Sequence, residues 1–163
     1  MEGPLWLLVV SDMTQLETDV LAELIRRKRD LLTRLREMGR RQMELVSDGA
    51  MTQLLDVLAA KQRVLDELQR VERDLDPFRG EDPDRRTWRS EALRLECAAL
   101  LDECEQLLRE TVEQERQSEA ALTVRRDEAA VRLEGAHLAG RARGAYANGG
   151  GATMSQLDLT SEG

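Results

Sequence analysis

The sequence predicts an all-α protein: an elongated antiparallel bundle of three long helices, coiled-coil-like, with a disordered C-terminal tail. Three observations carry this reading. The 163 residues are dominated by Leu, Ala, Glu and Arg, with only 3 Pro and 2% aromatic residues, a composition of long helices and not of sheets. Apolar side chains recur at spacings of three and four along three separate stretches. Between those stretches stand the only strong breakers, Asp48-Gly49 and the segment from Asp76 to Pro83. Length sets the expectation of a single packed domain.

The first helix is expected over residues 13–46, with Asp12 or Thr14 as caps. Val20, Leu24, Leu31, Leu35, Met38 and Leu45 form its stripe, and Lys28 and Gln42 fill two polar positions in the same spacing. Leu21, Ile25, Leu32 and Val46 widen that stripe beyond a narrow seam. Gly39 interrupts it, at about 1 kcal/mol relative to Ala. Residues 1–12 read as a frayed extension. Their apolar run from Leu5 to Val10 is far short of a membrane span, it lacks the basic region and cleavage site of a signal peptide, and Met13 offers an alternative start.

The second helix is expected over residues 51–75, with Leu54, Leu58, Leu65, Leu68 and Leu75 on its stripe and Lys61 and Glu72 at its polar positions. The pattern around Lys28 repeats around Lys61, 33 residues later. Two copies do not make a solenoid, which needs at least three, so the repeat reads as two helices of one hairpin. Asp82 followed by Pro83 is an N-cap with proline at the first helical position, which opens a third helix expected over residues 83–138. Trp88, Leu93, Cys97, Leu100, Cys104, Leu107 and Leu108 make its first half strongly amphipathic. Beyond Thr111 the stripe thins, with Gln114 and Ser118 on the seam and then Leu122, Ala129, Leu133 and Ala136. Small side chains bury little surface, so this half is expected to lack partners within the chain. Residues 141–163, with glycines at 144, 149, 150 and 151, read as a flexible tail.

Several function classes lack raw material. A single His, His137, gives no multi-His metal site and no His-based acid–base machinery. Cys97 and Cys104, seven apart on a helix, stand roughly 10 Å apart along its axis, too far for a disulfide. They read as small core residues of a reduced, cytoplasmic protein. No phosphate-binding glycine loop, nucleophile–base pair or catalytic carboxylate pair is present, so no catalytic residue, metal or cofactor is expected. The basic segment 26–41 holds eight basic and two acidic residues, and residues 81–120 hold twelve acidic and six basic. Fields of opposite sign on different helices point to ion pairing across the bundle. With a net charge of −8, no nucleic-acid partner is expected, and no membrane insertion.

What remains is apolar helix surface, suited to binding another amphipathic helix. Specific elements then bear on identity. Lys28, Leu31, Leu32 and Leu35 lie in the first helix, and Arg41-Gln42 and Leu45-Val46 lead into Asp48-Gly49. Lys61-Gln62, Leu65 and Leu68 follow in the second, Trp88 sits early in the third, and the sequence later reads Ala145-Tyr146-Ala147-Asn148-Gly149. Together these resemble the FlgN family of flagellar type III export chaperones, over most of residues 13–148. The resemblance implies a cytoplasmic chaperone without ATPase activity or cofactor. Such a protein binds hook-associated junction proteins of the FlgK and FlgL type, prevents their premature assembly and delivers them to the cytosolic domain of the export gate. By position it places cargo binding on Leu122, Ala129, Leu133 and Ala136, and docking to the gate on Tyr146, Asn148 and Gly149. This cargo stripe holds fewer large apolar residues than the family pattern, and the chain runs on past Gly151. From the residues alone, a structural coiled-coil scaffold or adaptor is the alternative, and an exposed stripe serves a homodimer as well as a cargo.

Overall fold

The computed structural model describes residues 3–158. Its three long helices are α1 (Leu5–Asp48), α2 (Met51–Arg79) and α3 (Glu91–Asp158), with a short 3-10 turn at Pro83–Arg85. No strand occurs among the described residues. The all-α fold expected from periodicity is therefore the fold observed. The chain divides into two units, Met1–Ala121 and Leu122–Gly163; the first is the three-helix bundle.

Gly49 stops α1 as its sequence predicts, by taking a left-handed conformation (φ 71°, ψ 19°) that an L side chain resists. Its N–H donates to the Val46 carbonyl at 3.2 Å, and the Ala50 N–H reaches back to Leu45 O at 3.0 Å. These two bonds satisfy carbonyls that the helix end would leave bare, and α2 starts at once in the opposite direction. The α2–α3 connection is longer and pinned by polar contacts. Arg86 donates to the Phe78 carbonyl at 2.6 Å, and Thr18 of α1 donates to Thr87 O at 2.8 Å.

Contacts between charged side chains fix the helix directions. Lys28 pairs with Glu72 and Lys61 with both Gln42 and Glu115, so α2 runs antiparallel to α1 and to α3. Arg26, Arg29 and Arg36 of α1 pair with Glu96, Glu103 and Glu110 of α3, which makes α1 and α3 parallel. The oppositely charged segments thus meet as their signs predict. Apart from the buried Lys61, the members of these pairs are exposed or half-buried, and such bridges contribute from nothing to about 1 kcal/mol each. They align helices that the core holds together.

That core is formed by Leu21, Ala22, Ile25, Leu31, Leu32 and Leu35 of α1, Val64, Val71 and Leu75 of α2, and Cys97, Leu100, Cys104 and Leu107 of α3. The wide stripe of α1 has a reason: it packs against two helices, and its flanking Ile25, Leu32 and Val46 are buried to 1% or less. Cys97 and Cys104 are buried and unpaired, and burial pushes both thiols above their ordinary range.

Several expectations need correction. Val20, Leu65 and Leu108 are exposed. In each case the apolar neighbour, Leu21, Val64 or Leu107, takes the core position one residue away. Residues 5–12 are not frayed but helical, because α1 starts behind Pro4, ahead of the expected caps. The second helix runs on through Pro77 to Arg79. Asp82 does accept from the Asp84 N–H, but it caps the 3-10 turn. The long third helix begins instead at Glu91, where Ser90 Oγ accepts from Leu93 N–H at 3.1 Å. That helix also continues beyond 138 to Asp158. Alanines and arginines of high helix propensity carry it through the glycines of residues 139–149. Of the expected tail, residues 159–163 lie outside the described residues.

Candidate functional site

Two places in the molecule depart from a plain apolar bundle. The first is a buried polar layer built from the polar stripe positions. Gln42 donates to Ser118 Oγ at 2.8 Å, and the Lys61 ammonium donates to Gln42 Oε1 at 3.0 Å and to the Glu115 carboxylate. Gln42, Lys61 and Ser118 are all buried. One turn away, the side chain of Gln114 lies directly on Gly39: a Cβ at residue 39 would stand 2.5 Å from Gln114 Oε1. Glycine is tolerated in that helix because a neighbouring side chain needs its space. A polar layer of this kind sets helix register, since a slipped pairing leaves its members unsatisfied in the interior.

A related arrangement surrounds Glu72. Burial alone would raise its carboxyl, but hydrogen bonds from Lys28 and Arg79 overturn that and hold it below the usual carboxylate range. Nearby, a cleft of about 550 Å³ opens between Leu21, Leu75, Phe78, Trp88 and Leu101, with Arg79, Arg86 and Arg94 at its edge. Those guanidiniums are already engaged, Arg79 by Glu72 and Asp76, Arg86 by Glu81 and Arg94 by Glu91. The groups around the cleft serve the fold.

The second place is the C-terminal part of α3. From 123 to 149 every side chain is exposed except Arg125, which is half-buried. Of the sequence-predicted cargo residues, Leu122 is half-buried, while Ala129, Leu133 and Ala136 are exposed. Leu133 is 73% accessible and Tyr146 88%. Tyr146, Asn148 and Gly149 lie in α3 itself and not in the expected tail. Comparison with protein-family models, curated proteins and solved structures gives no match to this chain.

Sequence reasoning missed a second exposed row, on the side of α3 opposite Ala129 and Leu133. Val124, Val131 and Leu138 are all exposed and stand seven apart, on one face of the helix. Their spacing was available in the sequence. The stripe through Leu122 instead continues the seam of Gln114 and Ser118. Five arginines and three acidic residues share residues 122–149, so the surface is mildly basic in a chain that is acidic as a whole. Among the described residues, no helix is long and apolar enough to cross a membrane.

Proposed function

We propose that this chain is a helix-binding chaperone of the flagellar export type, acting in the cytoplasm on hook-associated junction proteins. One observation supports this above the others. Residues 123–149 form a continuous helix with Val124, Val131, Leu133 and Leu138 exposed. Such a surface gains its free energy by covering apolar side chains with another amphipathic helix. A stripe interrupted by Ala and Arg buries less than an unbroken Leu seam, which suits a client that must be released. The flagellar client and the export gate rest on the resemblance to FlgN in the residues from Lys28 to Gly149. Under this reading Leu122, Ala129, Leu133 and Ala136 hold the cargo helix, while Val124, Val131 and Leu138 lie on the opposite side of α3. Tyr146, together with Asn148 and Gly149, docks the loaded chaperone on the cytosolic domain of the gate.

The test is co-purification with a junction protein of the same cell. Wild-type chaperone should form a complex of defined stoichiometry. Leu133→Asp with Ala136→Asp should lose it while melting as wild type does, because neither side chain is buried. Tyr146→Ala should keep cargo and weaken binding to the gate domain by about 2 kcal/mol, the scale of an aromatic hot spot. A stable self-assembly with no junction protein bound would favour the scaffold reading instead.

A further inference from the structure

The apolar surface that holds α3 on the α1–α2 hairpin ends half-way along the docked helix. Its buried apolar side chains, Cys97, Leu100, Cys104 and Leu107, all lie at or before residue 107. From 108 to 121 no apolar side chain of α3 is buried. Leu108 and Val112 are 46% and 56% exposed, and Ala120 and Ala121 are exposed as well. At the seam positions stand Thr111, Gln114 and Ser118 instead. What joins this segment to the hairpin is polar: Gln42 to Ser118, Lys61 to Glu115 and Arg36 to Glu110.

Such contacts hold a helix weakly. Burial of apolar surface is the dominant favourable term in docking, whereas a hydrogen bond or ion pair largely replaces one made with water. Two members of this layer gain by meeting water. Gln114 Oε1 is buried and accepts from no donor among the described residues, and the Lys61 ammonium is buried at a cost in hydration. The helix also has a place to bend. Thr111 Oγ donates to the Leu107 carbonyl at 2.8 Å, a back-bond that weakens a helix and favours a bend, and it sits one turn beyond the last buried apolar side chain. The hairpin has apolar contacts of its own through Leu32, Leu35, Val64 and Val71. We infer that residues 108–121 are a latch, which peels from the hairpin about a hinge over residues 107–111 while residues 91–107 stay docked. Rising salt favours the open state by screening its two ion pairs. Opening adds these residues to the exposed part of α3, so ionic strength sets how much of that helix a partner reaches.

The latch is independent of what α3 binds and is tested on the full-length chain. Ser118→Cys, with Cys97→Ala and Cys104→Ala, places the only thiol at a latch position that is 1% exposed. The reference protein keeps Cys104, 2% exposed, and carries Cys97→Ala alone. The probe is a chromogenic aromatic disulfide, and each rate is divided by that of the same protein unfolded in urea. The latch thiol should react at least about tenfold faster than Cys104, and faster in about 1 M than in about 0.01 M salt. Adding Thr111→Val with Gln114→Leu, which makes the seam apolar, should slow it at least about tenfold. Equal rates for the two thiols would overturn the latch, as would a rate that neither salt nor the apolar seam changes. A second readout leaves the polar layer intact. Spin labels at Gln62→Cys and Gln117→Cys, both exposed positions, in the chain without its own thiols should give a short distance and a longer one whose share grows with salt. Labels at Asp74→Cys and Asp102→Cys, also exposed, should give one distance throughout. A single salt-independent distance from the first pair, or the same growth in the second, overturns the inference.

Discussion

Gly39→Ala tests the packing of Gln114 against α1 through the sign of a stability change. In an unencumbered helix interior the substitution stabilises by about 1 kcal/mol, because alanine has less backbone freedom to lose. Here the new Cβ would lie 2.5 Å from Gln114 Oε1 and 3.2 Å from its Cδ, so the amide must move. Overpacking of this kind costs about 1–3 kcal/mol, and because the obstacle is the end of a flexible side chain the cost falls near the lower bound. The net expectation is a change from about zero to 2 kcal/mol of destabilisation. In a Gln114→Ala background the obstruction is gone, and the same substitution should stabilise by about 1 kcal/mol. Urea titrations followed by circular dichroism on the four proteins of the cycle give the coupling directly, expected at about 1–3 kcal/mol. Gly39→Ala stabilising both backgrounds equally would refute the idea that the glycine is there to seat Gln114.

Leu32→Ala, at a fully buried position, should cost about 2–5 kcal/mol, whereas Leu65→Ala, 36% exposed, should cost less than about 1 kcal/mol; paired denaturation curves decide. Lys61→Ala removes the ammonium that joins Gln42 to Glu115 and should destabilise by about 1–3 kcal/mol, the cost of an unsatisfied buried acceptor, with Lys61→Met recovering part of it by packing. Glu72 gives a pH signature. Its carboxyl is held lower in the folded protein than in the unfolded chain, so its stabilisation is complete above the ordinary carboxylate range and is lost as pH falls through its folded value. Glu72→Gln should flatten that acid limb in melts recorded across the same range, and an unchanged limb would show that other carboxylates dominate it.

Helix number, order and polarity were legible because the chain keeps a sustained period, with breakers only where it turns. Lys28, Gln42, Lys61 and Glu72 fall on the stripes by spacing alone, and their pairing follows from that placement. Phase was harder. Where two apolar residues are adjacent, as with Val64 and Leu65, hydrophobicity favours the larger one, but the core takes whichever lies in register with Lys61 and Val71. Helix starts were obscured by competing signals: Asp82-Pro83 is the stronger cap motif, yet it sits in a connection that must turn before α3 can dock, which leaves Ser90 to cap that helix. The open surface on α3 was legible from its small side chains. The heptad of Val124, Val131 and Leu138 was hidden because arginines and acidic residues interleave it.

The tight Gly49 turn also orders events in time. Contacts between α1 and α2 close over short loops, as from Gln42 to Lys61 across 19 residues, while α1 meets α3 across 70 to 79 residues. Closing the shorter loop costs less chain entropy, so the hairpin assembles first and α3 docks onto it afterwards. During synthesis the hairpin leaves the ribosome before α3 does. Cys97 and Cys104, carried on α3 and buried only once it docks, turn that last step into an event a thiol reagent can time.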